Sequence, residues 1–144
     1  MEVVAANLLD LNALRKLEKA CFDKDAWPLL DLIAVLTLPD VIRLKAMEGD
    51  QMVGFVAGDP RRNEGWGWIA TIAVHPHYRR RGIGRELLHI CEGRLSVANA
   101  RLTVRTSNME AIAMYNADGY QTIDIWKAYY SDGEDAQVME KQLQ

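Results

Sequence analysis

The stretch from Ile69 to Leu88, IATIAVHPHYRRRGIGRELL, constrains the fold of this chain more than any other segment. It begins as an apolar strand, breaks at Pro76, and passes through a basic, glycine-containing turn into an amphipathic helix. The first turn of a helix has N–H groups without intrahelical partners and carries partial positive charge. Glycine lets a ligand approach the backbone, and Arg79, Arg80 and Arg81 add formal charge. The segment therefore predicts a strand–loop–helix unit that binds a phosphorylated ligand.

The composition predicts one domain over residues 1–144. A chain of 144 residues with 49% apolar and 26% charged residues suits a single globular core. Its net charge of −3 argues against direct nucleic-acid binding. Because it lacks a bilayer-length apolar run and a signal-peptide pattern, we expect a cytoplasmic protein without a membrane partner. Cys21 and Cys91 lie too far apart for a metal site, so we expect reduced thiols and no bound metal.

Hydrophobic periodicity and turn residues predict a mixed α/β domain with the order β-α-α-β-β-β-α-β-α-β-β. The strands are predicted at residues 2–6, 41–47, 52–58, 67–74, 101–106, 120–126 and 136–140. The helices are predicted after Asp10, over residues 30–36, after Gly82, and from Asn108 to about Gly119. Asp10 is expected to cap the first helix, and Ser107 or Asn108 the last.

The run Arg79-Arg80-Arg81-Gly82-Ile83-Gly84 has the pattern Q/R-x-x-G-x-G/A and stands between a strand and an amphipathic helix. In this it resembles the GNAT superfamily of acetyl-CoA-dependent N-acetyltransferases, whose element order matches along essentially the whole chain. The C-terminal third is similar to the RimI-type enzymes, which acetylate protein N-termini, including that of a ribosomal protein. The matching segments are 104–108, 111–115, 119–120, 128–130 and 132–136. The resemblance implies a mixed, mostly antiparallel sheet, splayed at a central strand pair, with helices on both faces.

The same resemblance implies acetyl-CoA as the acetyl donor. Its diphosphate is expected on the backbone N–H groups from Arg80 to Arg85, and its pantetheine arm along the strand end, where the Val74 amide would stabilise an oxyanion. Asn108 either caps its helix alone or also bonds the cofactor arm. The residues expected to bind the cofactor are Ile72, Ala73, Val74, Arg79, Arg80, Arg81, Gly82, Ile83, Gly84, Arg85 and Asn108.

Three tyrosines are the candidates for chemistry and for acceptor binding. The family counterpart of Tyr115 protonates the departing CoA thiolate, although a helical tyrosine can also be a simple core aromatic. Tyr129 and Tyr130 lie in the loop that closes over the first residues of the substrate in N-terminal acetyltransferases. The alternative for these two is a hairpin loop with surface aromatics. Trp66, Trp68 and Trp126 are expected in the core or on the sheet surface.

Thr103 departs from the family pattern, because RimI-type enzymes carry their glutamate general base at this position. A threonine hydroxyl cannot deprotonate an ammonium group. Either another group acts through water, with Glu134, Asp135, His75 or a tyrosine of the late loop as candidates, or little base is needed. An α-amine of pKa about 7.7–8.0 is roughly 10–20% neutral at pH 7, whereas a lysine is almost fully protonated. The threonine therefore favours peptide N-termini as acceptors.

These observations predict an acetyltransferase that acts on the N-terminal α-amine of a protein or peptide, possibly ribosomal, by direct transfer. An acetyltransferase for small amines is the alternative. A CoA-binding module without turnover, suggested by Thr103, is a third possibility. The protein is expected to be a monomer or a homodimer.

Overall fold

The computed structural model describes residues 1–22 and 25–143, and within them the predicted order of strands and helices is confirmed. The strands are β1 (Glu2–Ala5), β2 (Ile42–Glu48), β3 (Gln51–Arg61), β4 (Trp66–Val74), β5 (Asn99–Arg105), β6 (Gln121–Trp126) and β7 (Ala136–Gln142). The helices are α1 (Leu11–Phe22), α2 (Leu29–Thr37), α3 (Ile83–Leu95) and α4 (Met109–Ala117).

The strands are hydrogen-bonded in the order β1-β2-β3-β4-β5-β7-β6. The pairs β1–β2, β2–β3, β5–β7 and β6–β7 are antiparallel, whereas β4 and β5 are parallel. The parallel ladder joins Trp66–Trp68 to Asn99–Arg101, while the two strands continue to Val74 and Arg105. The prediction of a mixed, mostly antiparallel sheet is confirmed, whereas the splay at a central strand pair stays a prediction.

The described chain divides into two compact units. The first contains Met1–Pro60 and Ile69–Ser96, and the second contains Arg61–Trp68 and the chain from Val97 onward. The predicted phosphate-binding turn therefore belongs to the first unit, and Tyr115 belongs to the second. Among residues 1–22 and 25–143, no helix has the length and apolar character needed to cross a membrane.

In the first unit, α3 packs closely on one face of β3. A Cβ added at Gly54 would lie 2.9 Å from Leu87 Cδ1, and one added at Gly58 would lie 2.6 Å from Cys91 Sγ. Both distances are shorter than real Cβ contacts, so only glycine admits the helix at this depth. Cys91 is a buried thiol, and Cys21 is half-buried.

The opposite face of β3 packs against α1 and α2. Phe55 and Ala57 alternate with the two glycines and are fully buried, since successive strand residues face opposite ways. The cluster around them includes Leu14, Leu17, Leu32, Val35 and Leu36. Helices on both faces of the sheet were predicted, and in this unit the prediction is confirmed.

In the second unit, β5 alternates between buried and half-buried side chains. Leu102 and Val104 are buried, whereas Arg101, Thr103 and Arg105 are half-buried. Because alternate residues of a strand share a face, Thr103 lies on the same face as the two arginines. Because Thr103 occupies the position where the resemblance leads us to expect a glutamate base, any residue that replaces this base has to be sought on this face.

The predicted cap of the first helix is wrong. A short 3-10 turn, Leu8–Asp10, precedes α1, and the Asn7 side chain caps it by accepting from the Leu9 N–H at 2.9 Å. Asp10 accepts from the Asn7 N–H at 2.9 Å and pairs with Lys45 Nζ at 2.7 Å. Asp10 is thus the reciprocal partner in a capping box, and the signal in the sequence was the Asn-x-x-Asp spacing.

We predict that Gly58→Ala lowers the free energy of unfolding by about 1–3 kcal/mol, because the new methyl group overpacks a fully buried contact. The matched control is Gly93→Ala on the exposed side of α3, where a Cβ meets nothing within 4 Å. That change should stabilise the protein by about 1 kcal/mol through helix propensity. Urea unfolding of both variants measures the difference, and equal stabilities would contradict the close approach of α3.

Candidate active site

The turn between β4 and α3 has the backbone conformation that the sequence predicts for an anion site. Gly82 caps α3 in the left-handed region at φ 80°, and Arg80 also has positive φ, at 65°. The Glu86 N–H donates to the Gly82 carbonyl at 3.0 Å, at the start of the helical hydrogen-bond series. The N–H groups of residues 82–85 precede this series and form the exposed positive end of α3.

The space around this turn suits a diphosphate. A Cβ added at Gly82 would meet nothing within 4 Å, so the region above the turn is open. A Cβ at Gly84 would lie 3.3 Å from Val74 Cγ2, which shows that the helix start is packed on the end of β4. The start of α3 and the end of β4 are therefore in contact.

The arginines of the turn are not equivalent. Arg79 Nε donates to the Val74 carbonyl at 3.0 Å, and Cys21 Sγ lies 3.3 Å from the same oxygen. Arg81 lies over the Tyr78 ring, with 4.9 Å from its guanidinium carbon to the ring centroid. Arg79 thus orients the strand end, while Arg80 is exposed. The cofactor-binding roles of residues 72–74 and 79–85 stay predictions.

Tyr115 is held as a neutral phenol in the second unit. Only 7% of the residue is exposed, and its ring packs edge-on against Tyr120 at 5.7 Å. Burial, with a smaller electrostatic effect of Tyr130, raises the pKa of Tyr115 to about 12. At neutral pH the phenol therefore carries its proton, which is the state a proton donor needs.

Asn108 caps α4, as predicted. Its side-chain oxygen accepts from the Ala111 N–H at 3.2 Å, and the helix ends before Gly119, whose φ is 103°. The residue is exposed, so its side chain is accessible from solvent. A second role toward the cofactor arm stays a prediction.

The late loop is tied to β5 by Arg105 and Glu134. Arg105 Nη1 donates to Glu134 Oε1 at 2.7 Å, and Glu134 Oε2 accepts from the Ser107 N–H at 2.8 Å. Hydrogen bonds from Ser107, Arg105 and Thr106 lower the pKa of Glu134 to about 2. Hydrogen bonds from Ala128 and Lys127 likewise lower the pKa of Asp135. Both carboxylates are anchors of the loop, and Glu134 is too acidic to serve as the general base.

Thr103 has no ready carboxylate on its own face of the second unit. Glu140 pairs with Arg101 at 2.7 Å, and Asp124 accepts from the Ile125 N–H and the Trp126 indole. In the first unit, His75 Nδ1 accepts from the His77 N–H at 3.1 Å. Of the predicted alternative bases, Glu134, Asp135 and His75 are thus engaged in local hydrogen bonds, while a tyrosine of the late loop stays a candidate. The second interpretation of Thr103, that little base is needed, gains support.

Glu18 on α1 is a buried acid that the sequence analysis did not single out. It is 1% exposed, and neither carboxylate oxygen has a hydrogen-bond partner of good geometry among the described residues. Burial raises the pKa of Glu18 to about 7, although the backbone of Trp27 opposes the shift. Because the side chain is enclosed, we assign it no contact with substrate, but its ionisation falls in the working pH range.

Tyr129 and Tyr130 are neighbours in the late loop, with ring centroids 5.1 Å apart. Tyr129 is 51% exposed, whereas Tyr130 is half-buried beneath Arg105, whose guanidinium carbon is 4.2 Å from the ring centroid. The tyrosines expected to bind substrate are therefore held by the same arginine that anchors the loop. Their role in substrate binding stays a prediction.

A match to a family model establishes the family of this chain. Residues 11–120 match the acetyltransferase (GNAT) family. The chain belongs to this family. The resemblance inferred from the glycine-containing turn is thereby confirmed, as is the predicted fold class.

Individual relatives refine the comparison. The chain is 34% identical to the N-alpha-acetyltransferase RimI of Mycobacterium tuberculosis over 121 residues, covering 81% of this chain and 76% of that protein. The crystal structure of the ribosomal-protein-S18-alanine N-acetyltransferase from Escherichia coli matches with a TM-score of 0.88 and 27% identity, covering 99% of this chain and 93% of the other. These similarities agree with the RimI-type resemblance of the C-terminal third.

Several curated relatives are longer than this chain. It spans 39% of a Mycobacterium leprae protein to which it is 34% identical. It spans 48% of the N-alpha-acetyltransferase of Saccharolobus solfataricus, to which it is 37% identical over 81 residues.

We predict that Gly82→Trp abolishes binding of CoA while leaving a folded protein, because the indole would fill the open space above the turn. Calorimetric titration of CoA measures the loss, and circular dichroism checks the fold. Gly93→Ala serves again as the control, since it lies on α3 away from the turn and should keep wild-type affinity. Unchanged CoA affinity in Gly82→Trp would refute the assignment of the turn.

Proposed function

We propose that this protein is an acetyl-CoA-dependent N-acetyltransferase that acts on the N-terminal α-amine of a protein or peptide. The observation that carries the proposal is the turn at Gly82, where an open helix N-terminus is packed on the end of β4. Membership of the GNAT family and the similarity to an N-alpha-acetyltransferase RimI support it.

On the donor side, the backbone N–H groups of residues 82–85 would hold the diphosphate, and residues 72–74 would hold the pantetheine arm. Acetyl-CoA would supply an acetyl group activated as a thioester. The Val74 carbonyl is occupied by Arg79 and Cys21, which fixes the orientation of the peptide unit that follows it. The N–H of Val74 itself is the proposed donor to the developing oxyanion.

Tyr115 is the proposed general acid. Burial raises the pKa of its phenol to about 12, so the proton is still present when the thiolate begins to depart. Its electrostatic coupling to Tyr130 links the acid to the late loop, where the acceptor is proposed to bind.

On the acceptor side, the amine must arrive already neutral, because the described carboxylates on the face of Thr103 are engaged in hydrogen bonds. An α-amine satisfies this requirement far better than a lysine side chain does, since its pKa is about 7.7–8.0 instead of about 10.4. The loop that holds Tyr129 and Tyr130 is proposed to position the first residues of a peptide.

We predict that thiol release from acetyl-CoA in the presence of a short peptide has a kcat/KM that rises with pH and levels off near the pKa of the acceptor amine. With an acceptor amine of higher pKa, this rise in kcat/KM should shift to higher pH, because no ionisable group of the enzyme determines where it occurs. A limb fixed near pH 7 for every acceptor would instead indicate Glu18, whose pKa is about 7. No alkaline decline is expected below about pH 10, since Tyr115 stays protonated.

The same assay separates the alternatives. Release with small amines but with no peptide would replace the proposal by a small-amine acetyltransferase. Tight CoA binding without release for any amine would make the protein a binding module.

We predict that Tyr115→Phe lowers kcat about 100-fold or more, because the leaving thiolate loses its proton donor. Acetyl-CoA affinity should change little. The matched control is Tyr120→Phe, which removes a hydroxyl from the neighbouring buried ring and should keep kcat. Steady-state kinetics and calorimetry measure the two quantities, and an unchanged kcat in Tyr115→Phe would remove this residue from the mechanism.

A further inference from the structure

Five aromatic side chains of the second unit form a continuous series, which we call the aromatic row: Trp66, Trp68, Trp126, Tyr129 and Tyr130. Successive ring centroids are 5.3, 5.8, 5.4 and 5.1 Å apart. The rings meet edge-on or tilted, a packing that presents both faces and edges. The sequence analysis placed the tryptophans in the core or on the sheet surface, but the tertiary structure joins them to the predicted substrate loop.

An arginine stands at each end of the aromatic row. The guanidinium carbon of Arg101 is 4.4 Å from the Trp66 ring centroid, and that of Arg105 is 4.2 Å from the Tyr130 ring centroid. Arg101 pairs with Glu140 at 2.7 Å. Arg105 pairs with Glu134 at 2.7 Å and with Asp132 at 2.9 Å. Both arginines are thus paired, and the two carboxylates on Arg105 leave that end of the row with an excess of negative charge.

The two ends of the aromatic row lie at the arginines that flank Thr103 on β5. Thr103 lies on β5 between Arg101 and Arg105 and shares their face. Trp68 pairs with Arg101 in the parallel ladder, which places the start of the row beside this face. The aromatic row therefore runs from Arg101, at Trp66, to Arg105, at Tyr130. The part of the surface where RimI-type enzymes carry a glutamate is bordered here by aromatic rings.

This surface is accessible and poor in available charge. Trp66, Trp68, Trp126 and Tyr130 are half-buried, and Tyr129 is 51% exposed. An acidic acceptor side chain would therefore meet arginines that are already paired and carboxylates of like charge, and any charged side chain would lose solvation. A large apolar side chain would instead bury area against the rings.

We propose that the aromatic row selects acceptors whose amine-bearing residue has a large apolar side chain, such as methionine, leucine or phenylalanine, over those with alanine. The inference rests on the proposed function and specifies its substrate class. Thr103 fits this role, because a small uncharged side chain leaves room beside the rings and adds no charge to an apolar pocket wall.

The first experiment compares peptides that differ only at the first residue: Ala, Ser, Met, Leu, Phe, Glu or Lys. The amides of the single amino acids form a second series, which distinguishes a peptide acceptor from a free amine. The kcat/KM for Met, Leu or Phe should exceed that for Ala by about tenfold or more, mainly through a lower KM, given the apolar area buried. The Glu peptide should be the poorest acceptor.

The second experiment removes one ring. Trp126→Ala should raise KM for the Leu peptide about tenfold and leave KM for the Ala peptide within about twofold. Trp126→Phe should restore part of the preference. The matched control is Ile125→Ala, because Ile125 is the adjacent residue of β6, points to the opposite face and is 39% exposed. Circular dichroism and CoA affinity confirm that each variant is folded.

The outcomes are distinguishable. Equal or better transfer to the Ala peptide would overturn the selectivity and leave the proposed function standing. An equal loss for all peptides in Trp126→Ala would make the aromatic row a structural element only. Absence of transfer to every peptide would overturn the proposed function together with this inference.

Discussion

The close packing of α3 on β3 is the contact on which the donor side depends. Gly54 and Gly58 have no side chains where Leu87 and Cys91 enter, so the helix lies closer to the sheet than any larger residue would permit. Because the helix is rigid, this contact sets where its N-terminus lies. The same helix brings Gly84 against Val74, and the position of the proposed phosphate-binding turn follows from a packing constraint that begins about one to two helical turns away.

The second unit depends on an electrostatic constraint of comparable importance. Arg105 joins β5 to the late loop through Glu134 and stacks on Tyr130. These hydrogen bonds lower the pKa of Glu134 to about 2. Glu134, a candidate base from the sequence, therefore stays ionised and orders the loop. The chemistry of the acceptor side then rests on the neutral amine and on Tyr115.

Elements with strong local signals were predictable. The order of strands and helices, the cap at Asn108 and the left-handed Gly82 follow from periodicity, capping preference and glycine chemistry, which act within a few residues. Asp10 was misassigned because the short turn before α1 moved the cap to Asn7. The three tryptophans were predicted only to lie in the core or on the sheet surface. Their spacing within a strand shows that residues share a face, but it does not show which other segments contact that face.

By itself the sequence determined the family, the glycine-containing turn proposed to bind the donor, and the threonine at position 103, since each is a property of contiguous residues. Only the tertiary structure decided the protonation states of these side chains and which residues from distant parts of the sequence they contact. Burial keeps Tyr115 protonated, and hydrogen bonds from Arg105, Thr106 and Ser107 make Glu134 too acidic to be the base. The aromatic row joins β4, β6 and the late loop, and such contacts arise from strand register and packing between segments far apart in the chain.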